Sequence, residues 1–285
     1  MLKQISLLIL CAVAIVLFAT PVHACTSAVV SGKVTLDGRP LLWKNRDTDF
    51  MRNHVDYVKG ERYDFIAVVN SANAYLKEAW MGTNSAGFAL MNTQSYNLVD
   101  VKGDEERGAA NGRVIYRALE VCATVEDFCH FLDTISKPSD IEANFGVIDA
   151  QGGAAMFEVD YYKYVMYDAN NPKDAPYGYI ARTNFSFAGK VNEGAGYVRY
   201  MEADQVLMKA SATGNITPQF IFNDLSRSFR NRMLDIDLRS GGYNRPQASG
   251  WFIDQDFIPR SSTSCSVVVQ GVKPGVKAEL TTMWT

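Results

Sequence analysis

The 285-residue chain is predicted to fold as an α+β protein in which antiparallel sheets are covered by paired helices. Three observations carry this expectation. The predicted elements run strands, helices, strands, helices, strands, an order that suits layered sheets with helices packed against them. Short turns join neighbouring strands, so hairpins dominate and neither a Rossmann nor a barrel plan fits. No repeat, linker or low-complexity stretch divides the chain, which leaves one domain over residues 25–285.

The elements follow from local pattern. An apolar strand near Thr26–Ser31 meets a turn at Leu36-Asp37-Gly38-Arg39, and a second strand runs through Leu41-Leu42-Trp43. Met51-Arg52-Asn53-His54 reads as a charged loop. Strands are expected at Phe65–Asn70, Tyr75–Met81 and Gly87–Thr93. Helical spacing then takes over, with one stripe at Val114, Ile115, Ala118, Leu119 and Val121 and another at Val125, Phe128, Cys129, Leu132 and Ile135. Strands return at Phe145–Ile148, Ala154–Val159, Tyr164–Tyr167 and Tyr179–Arg182. Helices are expected over Val198–Ala210 and Pro218–Ser228, a polar loop at Arg239–Asn244, and closing strands at Ser264–Val269 and Ala278–Trp284.

Lys and Arg total 28 against 31 Asp and Glu, so the chain has no field with which to hold nucleic acid. Only three histidines occur, which speaks against a multi-histidine metal site and most His-based triads. No Gly-rich phosphate loop opens a helix, and neither cofactor nor metal is expected.

Residues 1–24 read as a signal peptide. Lys3 supplies the positive start, Ile5–Thr20 the apolar run, and Val22-His23-Ala24 the residues a signal peptidase inspects. The run falls short of the ~20 residues of a membrane span. The mature chain is therefore expected to be exported, periplasmic or secreted, without stable membrane insertion, and to begin at Cys25. A homo-oligomer is compatible with the sequence.

A cysteine at that junction has two readings. In one it is acylated and anchors a lipoprotein. Against this, His23 suits a lipobox poorly, and no polar tether precedes the strand at Thr26. In the other, export exposes Cys25 as an N-terminal nucleophile. Of the remaining cysteines, Cys122 and Cys129 are too far apart to bridge on one continuous helix. The cap signal Thr124-Val125-Glu126-Asp127 can bring Cys122 within reach from the preceding turn; buried free thiols are the expectation.

A thiol with pKa near ~8.5 needs a base at neutral pH. His130 reads as a rim residue and His54 as solvated. An N-terminal cysteine needs neither, because its α-amino group, of pKa ~7.7–8.0, sits on the same residue. Lys44-Asn45-Arg46-Asp47 ends the second strand, where a carboxylate would orient that amine. Strand alternation puts Asn45 and Asp47 on one face and Lys44 and Arg46 on the other.

Taken in order, Cys25-Thr26-Ser27, Leu36-Asp37-Gly38 and Trp43-Lys44-Asn45-Arg46-Asp47 resemble the opening of the linear amide C–N hydrolases of the N-terminal nucleophile superfamily. That group includes penicillin V acylases, bile salt hydrolases and isopenicillin-N acyltransferase. Gly82-Thr83-Asn84-Ser85-Ala86-Gly87-Phe88 is similar to its Gly-x-Asn-x-x-Gly-Leu segment, and Arg182-Thr183-Asn184-Phe185 to its Thr-Asn-His-Phe motif, with Phe185 where histidine often stands. Lys44 occupies a place that is arginine in bile salt hydrolases, and no role is carried onto it.

The resemblance implies a four-layer αββα sandwich of two antiparallel sheets. It implies that Cys25 attacks, that Asp47 holds the amine, that Asn184 and Asn92 donate to the oxyanion, and that Arg260 stabilises the thiolate. The expected activity is hydrolysis of a linear amide, non-peptide or N-acyl amino acid, through a thioester, with acyl transfer as a related outcome. The partner is a small-molecule N-acyl amide. A secreted cysteine dipeptidase of the neighbouring family and a lipid-anchored binding protein are the alternatives. Aromatic pairs at Tyr161-Tyr162, Tyr177-Tyr179 and Trp251-Phe252 are candidates for an acyl pocket or for core packing.

Overall fold

Alternation along the strands divides the apolar residues into three cores. In the computed structural model, which describes residues 24–99, 108–240 and 254–285, β1 (Thr26–Val30) pairs with β2 (Leu41–Asp47). Leu42 and Val29 point one way; Leu41, Trp43, Ala28 and Val30 point the other, and each set joins a separate buried cluster. Strands covered on both faces read as continuous apolar runs, and every residue of β1 and β2 is buried.

The larger sheet is a meander of seven antiparallel strands in chain order. They are β3 (Asn53–Val58), β4 (Phe65–Asn70), β5 (Met81–Asn84), β6 (Ala89–Gln94), β7 (Ala143–Ile148), β8 (Ala154–Val159) and β9 (Tyr164–Asp168). The smaller sheet adds β10 (Tyr179–Arg182), β13 (Thr263–Gln270) and β14 (Thr282–Trp284) to β1 and β2, in the order β10-β1-β2-β13-β14. A separate two-residue hairpin, β11 (Arg230–Asn231) with β12 (Ile236–Asp237), stands outside both.

Helices α1 (Asn111–Val121) and α2 (Val125–Thr134) cover the outer face of the larger sheet. Phe128 anchors them, its ring contacting Phe88, Phe131, Phe145 and Phe157. Helix α3 (Tyr197–Ser211) and α4 (Pro218–Phe220, continuing as a π-helical turn over Ile221–Leu225) cover the smaller sheet. The third core, with Val29, Leu42, Met81, Met91, Met156 and Val267, lies between the sheets. The result is a four-layer αββα sandwich. No helix among the described residues is long and apolar enough to cross a membrane.

Local signals explain the helix ends. Thr124 and Asp127 form the capping box that starts α2. Asn84, the last residue of β5, donates to the carbonyls of Leu119 and Cys122 and so caps the end of α1, while its Oδ1 accepts from the N–H groups of Ala86 and Phe88. Gly87 follows at φ +77, a left-handed conformation that glycine adopts without strain.

Three expectations are corrected. Asn53 and His54, expected in a loop, instead open β3, an edge strand whose exposed His54, Val55 and Tyr57 give it no buried apolar stripe to read. The strand expected at Tyr75–Met81 is instead a 3₁₀ turn over Ala74–Leu76 ended by Lys77 at φ 54, with β5 beginning only at Met81. The last strand shortens to Thr282–Trp284 behind a 3₁₀ turn at Ala278–Leu280. Most of the polar loop at Arg239–Asn244 lies outside the described residues.

Candidate active site

Cys25 immediately precedes β1 and is 8% exposed. The pairing of Thr26 with Asn45 aligns Cys25 beside Arg46 on β2, and Arg46 pairs in turn with Cys265 on β13. Paired residues share a face, so Cys25, Arg46 and Cys265 form a row turned toward the other sheet. The Cys25 thiol lies 3.9 Å from the carbonyl oxygen of Asp47. In front of it a cavity of about 330 Å³ opens between the sheets, walled by Lys44, Arg46, Phe50, Trp80 and Asn92 among others.

Asp47 sits on the opposite face of β2 and is fully engaged. Arg260 grips its Oδ2 through Nε at 3.1 Å and Nη2 at 2.7 Å. Thr263 donates to its Oδ1 at 2.6 Å. The same Arg260 Nη2 donates at 2.6 Å to the carbonyl of Ala24, the residue before Cys25. Burial pushes the Asp47 carboxyl up from its usual range, and the Arg260 guanidinium pulls it back down.

A second arginine braces the thiol from behind. Arg199 of α3 donates to the Cys25 carbonyl at 2.6 Å, to Thr26 Oγ1 at 2.9 Å and to Asn184 Oδ1 at 2.8 Å. Burial lowers its pKa to about 10. Asn184, with no exposed surface, donates to the Gln94 carbonyl at 2.8 Å.

Lys44 and Arg46 line the cavity itself. The Lys44 ammonium donates to the Trp80 carbonyl at 3.1 Å and to Asn92 Oδ1 at 2.9 Å. Arg46 donates to Asn53 Oδ1 and Asn70 Oδ1 and stacks over Trp80, 4.7 Å from the ring centre. Burial lowers both pKa values, and the nearby Cys25 partly offsets this.

Thus Cys25, Asp47, Asn92 and Arg260 come together at one end of β1 and β2, and Asn184 joins them through Arg199. Chemically, the cluster joins a thiol to a buried carboxylate–guanidinium pair and several fixed donors, the groups that acyl transfer requires.

The family follows from comparison with known proteins. A family model described as acyl-coenzyme A:6-aminopenicillanic acid acyl-transferase matches residues 35–222, about two thirds of the chain. The chain belongs to this family. It is thereby a member of the linear amide C–N hydrolase group of N-terminal nucleophile enzymes, with amide hydrolysis or acyl transfer as its class of activity. The part matched to the acyl-transferase model holds Asp47, Asn92 and Asn184, while Cys25 and Arg260 lie outside it.

No curated protein matches. Among solved structures, the chain is similar to a Caenorhabditis elegans N-acylethanolamine-hydrolyzing acid amidase ortholog, with TM-score 0.47 and 15% identity, covering 70% of this chain and 89% of that one. It is also similar to a variant of the conjugated bile acid hydrolase from Clostridium perfringens, with TM-score 0.46 and 13% identity, covering 90% and 87%. Penicillin V acylase from Agrobacterium tumefaciens gives TM-score 0.41 and 16% identity, covering 86% and 82%.

Other expectations fall away from the cavity. His54 is exposed on β3, with Nδ1 3.0 Å from Ser71 Oγ, and His130 is exposed on α2. Cys25, Cys122, Cys129 and Cys265 are all free thiols, and burial pushes Cys122 up to about 12. Tyr162 and Tyr177 are exposed and Tyr179 packs under α3, so these aromatics do not line the cavity. Trp251 and Phe252 lie outside the described residues. The cavity takes its aromatic surface from Phe50 and Trp80 instead.

Sequence reasoning missed Arg199, Thr263 and Tyr96. The signal for Arg199 was present: it lies with Glu202 on the face of α3 that also carries Val198, Ala203 and Leu207, where a charge must find a buried partner. Tyr96 is held protonated, first by burial and then by the charge of Cys25.

Proposed function

We propose that this protein is an exported cysteine amidohydrolase that cleaves a linear N-acyl amide through a thioester, with Cys25 as its N-terminal residue once residues 1–24 are removed. The observation that carries the reading is that Arg260, which grips the Asp47 carboxylate, also donates to the carbonyl of Ala24 and so ties that carboxylate to the Ala24–Cys25 junction. Held near that junction by Arg260 and Thr263, the Asp47 carboxylate can accept a hydrogen bond from an α-amino group on Cys25 and orient it, a task that neither a lipid anchor nor an internal thiol requires.

The reaction then runs as follows. The α-amino group of Cys25 takes the thiol proton, and the thiolate attacks the amide carbonyl carbon. The carbonyl electrons move to oxygen, where Asn92, Asn184 and a backbone N–H receive them. Asn92 accepts from Lys44 with its Oδ1, which leaves its NH₂ without a partner among the described residues. Asn184 serves as the second donor by exchanging the Gln94 carbonyl for the substrate oxygen. As the oxyanion collapses, the C–N bond breaks and the ammonium proton passes to the leaving nitrogen. Water hydrolyses the thioester, or an acceptor amine takes the acyl group.

Ala24 is 1% exposed. A bond so enclosed is cut before the chain folds, as signal peptidase does, or by the site that encloses it. Cys25→Ser tests the assignment. The processed variant should keep the fold by circular dichroism and lose amide hydrolysis; full activity overturns the reading. Assaying dipeptides beside N-acyl amides separates the neighbouring dipeptidase class.

A further inference from the structure

The cavity in front of Cys25 has a charge imbalance that the reaction above does not use. Lys44 is 2% and Arg46 4% exposed, and each is bound only by neutral oxygens, those of Trp80, Asn92, Asn53 and Asn70. Burying a cation without a counter-charge costs several kcal/mol, so a second role must justify two of them. The carboxylates on the cavity wall are committed elsewhere. Asp47 belongs to Arg260 and Thr263 across the strand, and Glu78 faces Arg113 at 3.6 Å. A Cys25 thiolate would balance one cation and leave the other.

Around these cations several N–H donors remain without an acceptor. Lys44 has three N–H bonds and two partners, and Arg46 has five and two. The Asn92 NH₂ is unpartnered among the described residues, and the buried Trp80 indole N–H likewise has no acceptor there. Asn53, Asn70 and the Trp80 ring fix the guanidinium plane, which spares much of the ordering cost of binding. Lys44 and Arg46 are two residues apart on one strand face, so their Cα atoms lie about 6.8 Å apart, a spacing that lets two long cationic side chains converge on one group.

We propose that this cavity selects amides bearing a carboxylate, received by Arg46 and Lys44. The proposal rests on the hydrolase reading for its reaction and on the unpaired cations for its specificity.

Two matched pairs locate the charge. N-phenylacetylglycine against N-phenylacetylethanolamine places a carboxylate, or none, on the amine side; glutaric monoanilide against butyranilide does so on the acyl side. Binding is measured by calorimetry on the Cys25→Ser protein, and turnover on wild type. In at least one pair the carboxylate should bind tenfold or more tighter, with the turnover advantage residing in KM. Arg46→Met should abolish the difference, the charged partner losing tenfold or more relative to the neutral one, and Arg46→Lys should retain part of it. Equal binding within both pairs, no binding by either carboxylate, or an equal loss for charged and neutral partners in Arg46→Met overturns the proposal. A carboxylate preference in binding without turnover of any amide would instead overturn the hydrolase reading and leave this one standing.

Discussion

The two faces of β2 carry four polar side chains in succession and treat them in opposite ways. On the helix side, Asp47 is answered by Arg260 and Thr263, and Asn45 donates to the Ser226 carbonyl at 3.0 Å. On the cavity side, Lys44 and Arg46 find only neutral oxygens. Four consecutive residues thus separate a charge that is paired within the protein alone from two that are not. A paired buried charge tells of assembly; an unpaired one, beside a thiol and a cavity, tells of a ligand.

The contrast can be broken from either side. The largest stability effect is expected on the paired face. Asp47→Asn leaves Arg260 buried without its carboxylate and should cost about 3–5 kcal/mol in urea unfolding. On the cavity face Asn92→Ala should lower kcat by ~10²–10³ for loss of one oxyanion donor, with little change in unfolding midpoint. Arg46→Met should fall within about 1 kcal/mol of wild type in stability, or above it, since an unpaired buried charge is replaced by apolar volume. A large destabilisation there would mean that the guanidinium holds the fold.

A smaller effect sharpens the same point through pH. Burial lowers the pKa of Lys44, with Arg46 adding to the shift and Cys25, Cys265 and Asp47 opposing it. Proton loss therefore occurs below the ordinary lysine range as pH rises. Carboxylate preference should decline on the alkaline side in wild type and persist to higher pH in Lys44→Arg, read from KM profiles of one matched pair. Least affected of all should be Cys122, whose thiol burial holds near 12; iodoacetamide should leave it unmodified in the native protein at neutral pH.

Legibility in the sequence followed the same division. Strands β4, β8 and β10 were read at their observed ends because each is an apolar-rich run bounded by turn-forming or polar residues, Asp64 and Ser71, Gly153 and Asp160, Gly178 and Thr183. The edge strand β3 was not, since half of its residues face solvent and none is buried. Cys25 and Asp47 were visible as a motif, but the face that each would occupy mattered more than the motif. Arg199 escaped notice because one arginine on an amphipathic helix is ordinary until three buried acceptors are seen to surround it. Asn84 was read as part of a family segment, yet its work in capping α1 depends on a helix some 35 residues away in sequence.

The most direct test is the mass of the N-terminal peptide of the purified, exported protein. The account predicts a chain that starts at Cys25 with an unmodified amine and an unmodified thiol. A start at any other residue, or a lipid on that cysteine, would contradict it.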